Sequence, residues 1–243
     1  MLTRNYDEYP YASTKQGGKG AHVEPVLSEE NQAVGRDLGQ FYKKIILKKM
    51  ICLMLKSLIR RIKMDNFISF LNKSENLRKG YINSLEKADV NFKKKWLKCF
   101  SYIPYFFEEI YSVCNGTKRE IKEQAFFDFV PGYRLMQIDE ILDIYLKEFK
   151  INKKYDNIIP FLEDYSSCYY AYATNKNKES IVLVEDGKIE IIHSEISKFW
   201  QTIIAFYDEQ VYFLDEDGFL SYDYVKEGKV GEKYNADIKY WKE

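Results

Sequence analysis

Residues 180–193 read SIVLVEDGKIEIIH, two β-branched runs on either side of Asp186-Gly187. A two-residue I′ hairpin turn needs positive φ at both central positions, which Asp-Gly adopts with little strain. The pattern predicts an antiparallel pair. CYYAYAT at 168–174 adds a further β-rich run just upstream. VYFLDEDGFLSYDY at 211–224 repeats the device, with Asp217-Gly218 between strands over 212–214 and 219–222.

The text between these runs has helical spacing. PYFFEEIYSVCNG at 104–116 opens on Pro104, permitted in a first turn, places Phe107, Ile110, Tyr111 and Cys114 on one face, and is expected to stop at Asn115-Gly116. IDEILDIYLKEF at 138–149 aligns Ile138, Ile141, Leu142, Tyr145 and Phe149, with its carboxylates outward. SEISKFWQTII at 194–204 aligns Ile196, Phe199, Trp200, Ile203 and Ile204 after Ser194 as N-cap. Amphipathic helices beside antiparallel hairpins define an α+β class, an antiparallel or mixed sheet with helices packed against it.

Across 243 residues the composition is that of a globular protein, 46% hydrophobic and 30% charged, and the 16% of aromatic residues favours strands and a filled core. The zero net charge conceals a division. Residues 1–63 carry 12 basic and 6 acidic side chains, whereas 64–243 carry 25 and 31. The acidic balance of the larger part argues against direct nucleic-acid binding and suits a basic partner. Cys52, Cys99, Cys114 and Cys168 lie far apart without a CxxC, and His22 and His193 are isolated, so no metal spacing is present. Apolar neighbours around the cysteines favour buried reduced thiols in a reducing compartment. Residues 1–20 hold no apolar signal core, and a cytoplasmic location is expected. Trp96, Trp200 and Trp241 are expected in the core or at its edge.

The segment at 43–63 stands apart, with eight basic side chains and no acidic one. Lys48, Lys49, Lys56, Arg60 and Arg61 interrupt it too often for a membrane span. It reads either as a basic amphipathic surface helix or as translated intergenic sequence. IRRIKM at 59–64 is what a ribosome-binding sequence upstream of a start codon yields, which would make Met64 an initiator. Three stretches are then expected: a nuclease-like tail at 1–42, a basic apolar linker at 43–63, and a complete domain at 64–243.

IPYFFEEIYSVCNGT, FVPGYRLMQIDEILDIY, NIIPFLEDYSSCYYAYAT, SEISKFWQTI and VYFLDEDGFLSYDY follow in the order and character of the SUKH superfamily, the Smi/Knr-type proteins, which residues 64–243 resemble. The resemblance implies a SUKH-like sheet with packed helices and an immunity protein that binds and neutralises a cognate toxin, often a nuclease. It implies no cofactor and no catalytic constellation.

DEYPYASTKQGGKGAHVEPVLSEENQAVGRDLGQFY, from Asp7, resembles the last part of a NucA/NucB-type deoxyribonuclease, in which an Asp-Glu pair, an aromatic and a proline precede a Gly-rich stretch and a Glu-Asn turn. The resemblance implies Asp7 and Glu8 as catalytic residues, with Glu30 and Asn31 as further candidates, and magnesium or manganese as the cation of a metal-dependent DNA endonuclease. Carboxylates suit that task because they hold a hard cation against a phosphate or take a proton from water. Gln32 and Val34 depart from the arginine and glutamine common there. The segment is also expected to lack the upstream half of the enzyme, and so to be partial and poorly ordered. Without that shell Asp7 and Glu8 read as solvated carboxylates.

Within 64–243 two acidic turns stand out, Glu163 with Asp164 and Asp215 with Glu216 and Asp217, which a DNA-binding toxin face can accept as phosphate mimics. Three functions are carried forward: a binding module that blocks a nuclease toxin, a nuclease with an accessory domain, and an interaction domain without a toxin partner.

Overall fold

The computed structural model describes residues 4–9, 22–27, 43–45, 47–49, 66–176 and 178–242, and the chain divides into two units, Met1–Arg61 and Ile62–Glu243. In the first, β1 (Arg4–Tyr9) pairs antiparallel with β2 (His22–Leu27), and helical turns occupy 43–45 and 47–49.

The second unit is α+β with antiparallel sheets and packed helices, as its periodicities predict. It begins with helix α1 over 66–77, followed by β3 (Leu85–Lys87), α2 (Phe92–Trp96), α3 (Tyr105–Tyr111), β4 (Cys114–Thr117) and α4 (Gln124–Phe127). β5 (Arg134–Leu135) and α5 (Ile138–Ile144) lead through a π-turn at Tyr145–Phe149 into the central meander. That meander is β6 (Ile158–Glu163), β7 (Tyr169–Asn175), β8 (Lys178–Glu185) and β9 (Lys188–His193). With β5 it forms a five-stranded sheet in chain order, β5 to β9. α6 (Ile196–Asp208), the hairpin β10 (Tyr212–Leu214) and β11 (Leu220–Tyr222), α7 (Tyr224–Tyr234) and a 3-10 turn at Lys239–Lys242 complete it.

Asp186 and Gly187 take φ of 46° and 74°, the mirror-image turn expected between β8 and β9. Pro160 is tolerated within β6 because β5 is only two residues long and pairs with Leu162 and Glu163. One face of the sheet receives α3 and α6. Phe161 and Tyr172 pack on Phe106 and Phe107, and Phe161 also meets Phe199 of α6 at 5.8 Å between ring centroids. The opposite face takes Phe149 against Tyr169. Trp96, Trp200 and Trp241 are all buried, as expected.

Three local expectations are corrected. The helix from Pro104 ends at Tyr111 rather than at Asn115-Gly116, because Cys114–Thr117 pairs with β3. Gly116 serves that strand instead: it has φ of 83°, and a Cβ there would lie 2.6 Å from the Met136 carbonyl oxygen. Ser194 is not the N-cap of α6; that position falls one residue later, on Glu195, and the Ser194 hydroxyl accepts a hydrogen bond from Lys198. Glu140 does not point outward. It is buried because Arg134 donates to both its oxygens at 2.8 and 3.0 Å and the Gln137 N–H donates at 2.7 Å, closing the first turn of α5.

Candidate functional site

The two acidic turns of the second unit are built on one plan. Asp164 Oδ1 accepts the N–H groups of Ser166 and Cys168, both at 2.7 Å, and the Asp164 N–H donates to the Cys168 carbonyl. Asp215 Oδ1 likewise accepts from Asp217 and Phe219, at 3.1 and 2.8 Å, and its N–H donates to the Phe219 carbonyl. In each turn the fourth residue has positive φ, Ser167 at 65° and Gly218 at 81°. These are short loops closed by an aspartate that caps its own turn. Asp164 and Asp215 are thus committed to holding the backbone.

Glu163 is committed as well. Its carboxylate pairs with Arg134, which also holds Glu140, so one guanidinium bridges the end of β6 and the start of α5. Burial raises the Glu140 carboxyl, yet the Arg134 pair and the Gln137 N–H outweigh this and leave it below the ordinary range. Among the five acidic residues expected to meet a partner, Glu216 and Asp217 are the two that stand exposed without a side-chain hydrogen bond or ion pair among the described residues.

A hydrogen-bonded chain joins the two turns. The Tyr165 hydroxyl donates to Asp128 Oδ1 at 3.2 Å, and Gln124 Nε2 donates to Asp128 Oδ2 at 2.5 Å. Gln124 then grips β11, donating to the Leu220 carbonyl at 3.1 Å and accepting the Leu220 N–H at 2.7 Å. Asp128 is fully buried, and desolvation raises its carboxyl against the hydrogen bonds from Gly132, Tyr165 and Gln124. Beneath it Arg78, also buried, donates to the carbonyls of Ala125, Asp128 and Phe129 at 2.6, 2.5 and 3.1 Å, fixing the backbone that presents Asp128. Beside the first turn lies a cleft of about 480 Å³ walled by Phe127, Arg134, Glu163 and Tyr165.

What sequence reasoning missed is apolar. Phe213, Leu214, Phe219 and Tyr222 of the second hairpin are exposed, and Tyr224 and Val225, just past Asp223, are more so, at 70% and 61%. The signal was present in VYFL and FLSY, which do not alternate. A two-stranded hairpin outside the main sheet covers little of either face: Phe213 is exposed on one, and Leu214 and Tyr222 on the other, where Tyr212 and Leu220 are buried. The exposed set is fringed by Asp215, Glu216, Asp217 and Asp223.

In the first unit the β1–β2 register sets Asp7 opposite Glu24, Glu8 opposite Val23 and Tyr9 opposite His22. Glu30 and Asn31 lie outside the described residues, as do Cys52 and the stretch at 59–64. Cys99, Cys114 and Cys168 are free thiols, and burial pushes the Cys114 thiol up to about 12. No described helix is long and apolar enough to cross a membrane.

Residues 2–49 match the family model Deoxyribonuclease NucA/NucB. The similarity expected for the N-terminal segment is thereby found, and it runs seven residues into the basic stretch that begins at Lys43. No curated protein matches the chain.

Proposed function

We propose that the second unit is an immunity-type binding module that occludes a nuclease of the NucA/NucB kind. The observation that carries this reading is the presence in one chain of a nuclease-like segment, residues 2–49, and a separate unit with an apolar, aromatic hairpin fringed by acid. The resemblance of 64–243 to SUKH immunity proteins supports it. A DNA-cleaving enzyme presents a basic face to phosphates. Glu216 and Asp217 offer that face negative charge, while Phe213, Phe219 and Tyr222 offer the water-excluding contact that slows release.

This division of labour is measurable. Reversing two exposed fringe charges, Glu216→Lys with Asp217→Lys, is expected to slow association with such a nuclease about tenfold at low salt and to leave dissociation nearly unchanged. The difference should fade toward 1 M salt, where the screening length falls to about 3 Å. Stopped-flow mixing across a salt series checks it, and an association rate insensitive to both charge and salt would remove the electrostatic component.

A second reading is favoured by the family match itself: the chain cuts DNA. Asp7 and Glu8 are then the carboxylates to hold magnesium or manganese, with Glu30 and Asn31 as further candidates.

A further inference from the structure

On the second unit, a cleft of about 530 Å³ opens between α7, the C-terminal turn and β9. Its walls are Tyr224, Val225, Tyr240 and Trp241, and the carboxylates Glu190, Glu227 and Glu232 line it. The tight approach of the C-terminal turn to α7 shapes the cleft. A Cβ at Gly231 would lie 2.0 Å from the Trp241 ring, so only glycine lets the indole seat there, where its Nε1 donates to the Ile192 carbonyl at 2.6 Å. Tyr240 stands edge-on to that indole, with ring centroids 4.9 Å apart.

Glu227 is the unusual member. It sits in the first turn of α7, where the helix dipole favours a carboxylate, yet burial pushes its carboxyl up to about 7. Among the described residues its carboxyl has no hydrogen bond or ion pair. Tyr240 lines the cleft beside it, and the negative charge of Glu227 reaches Tyr170, Tyr212, Tyr222 and Tyr240, raising each of their hydroxyls further. Lys229 and Lys242 also line the cleft; both are exposed, and neither forms an ion pair with Glu227.

We propose that this cleft is a socket for one arginine or lysine side chain of the protein partner, with Glu227 as counter-ion and Tyr240 and Trp241 as its aromatic walls. The inference deepens the binding-module reading and rests on it for the source of the side chain. An arginine fits best, since a planar guanidinium bonds a carboxylate through two donors while stacking on an aromatic face. Charge complementarity chooses the occupant: the lining carries three carboxylates against two lysines, and the one carboxylate that is half-buried among the aromatic walls, Glu227, has neither lysine as a partner, beside a hairpin whose fringe is acidic. Tyr224 and Val225, one residue beyond the end of β11, carry the exposed apolar surface of that hairpin to the cleft.

The test separates this inference from the nuclease partnership by leaving the nuclease out. N-acetylarginine amide is titrated into the full chain at pH 7, followed by tryptophan fluorescence and by calorimetry in two buffers of different ionisation enthalpy, with N-acetylcitrulline amide as the neutral isostere. The arginine probe should perturb the fluorescence and release about half a proton on binding, because a group titrating near 7 is half protonated in the free chain and ionised beside the guanidinium. Affinity should rise with pH through 7. Glu227→Gln should weaken binding about tenfold, and the citrulline probe should not bind. Absence of arginine binding, equal binding of the two probes, no proton release, or full affinity in Glu227→Gln with an unchanged thermal midpoint would each overturn the socket. If Glu227→Gln fails to fold, proton release and the citrulline control decide the question on the natural chain.

Discussion

Replacing Arg78 by methionine is expected to destabilise the second unit by about 3–5 kcal/mol, lowering its thermal midpoint by about 10 °C or more. Methionine retains much of the apolar stem but none of the donors. Three carbonyls, those of Ala125, Asp128 and Phe129, then lose their partner in a region that water does not reach, and the Tyr207 hydroxyl loses the donor at 3.0 Å. An unsatisfied buried acceptor costs about 1–3 kcal/mol, so three outweigh the gain from removing a buried charge. The stacking of the guanidinium over Tyr81, 3.8 Å from the ring centroid, is lost too. Because Arg78 holds the backbone on which Asp128 links Tyr165 to Gln124, the variant should also loosen both acidic turns. Hydrogen exchange at Ser166, Cys168 and Leu220 should rise more than at Ile181 in the sheet centre. A midpoint within 2–3 °C of the natural chain, an effect of about 1 kcal/mol, would contradict this account of the anchor.

The second large effect appears on acidification. His193 is buried between Phe199 and Trp241, with ring centroids 5.4 and 5.5 Å away, and its neutral ring donates from Nδ1 to Asn235 Oδ1 at 2.9 Å. Asn235 is held in that orientation because its amide donates to Thr202 Oγ1 and the Gly231 carbonyl. Burial lowers the His193 pKa from 6.5 to about 4. The unfolded chain therefore takes the proton more readily than the folded one. The stability that depends on a neutral His193 is fully present above about pH 6.5 and is lost as pH falls toward 4, an amount of about 3 kcal/mol. Glu227 works in the opposite sense, since a carboxyl raised to about 7 destabilises the fold above that pH and ceases to do so below its unfolded value. The His193 contribution is isolated by comparison with His193→Gln. The stability difference between the two proteins should change by about 3 kcal/mol between pH 7 and pH 4, to the disadvantage of the natural chain. Urea unfolding at both pH values measures it, and a difference independent of pH would contradict the burial of a neutral imidazole.

The hairpins were legible because their chemistry is local. Asp186-Gly187 demands one kind of turn, and Asp217-Gly218 marks the second hairpin, although its loop is longer and is closed by Asp215 with two backbone bonds. The helical faces were legible because Phe107, Ile110 and Tyr111, or Phe199, Trp200 and Ile203, repeat with the period of a helix. What was not legible depends on distant partners. The end of α3 is set by the pairing of Cys114–Thr117 with a strand some thirty residues earlier, and Glu140 is drawn inward by an arginine that a periodicity argument does not see. The candidate site was half visible. Its acidic residues announce themselves in the text, but the structure commits Glu163, Asp164 and Asp215 to internal bonds and leaves Glu216 and Asp217 to the surface. The aromatic patch beside them and the half-buried carboxyl of Glu227 follow from packing, and neither residue type nor spacing marks them in advance.

The central claim, that the chain carries a module which blocks a NucA/NucB-type nuclease, is tested most directly in a DNA-cleavage assay in magnesium. An intact nuclease whose sequence contains a close counterpart of residues 2–49 is titrated with the full chain. The chain alone should leave DNA intact, and the mixture should lose cleavage as the two proteins reach equal concentration. Undiminished cleavage at an excess of the chain would contradict the claim, as would metal-dependent cleavage by the chain alone that disappears in Asp7→Ala.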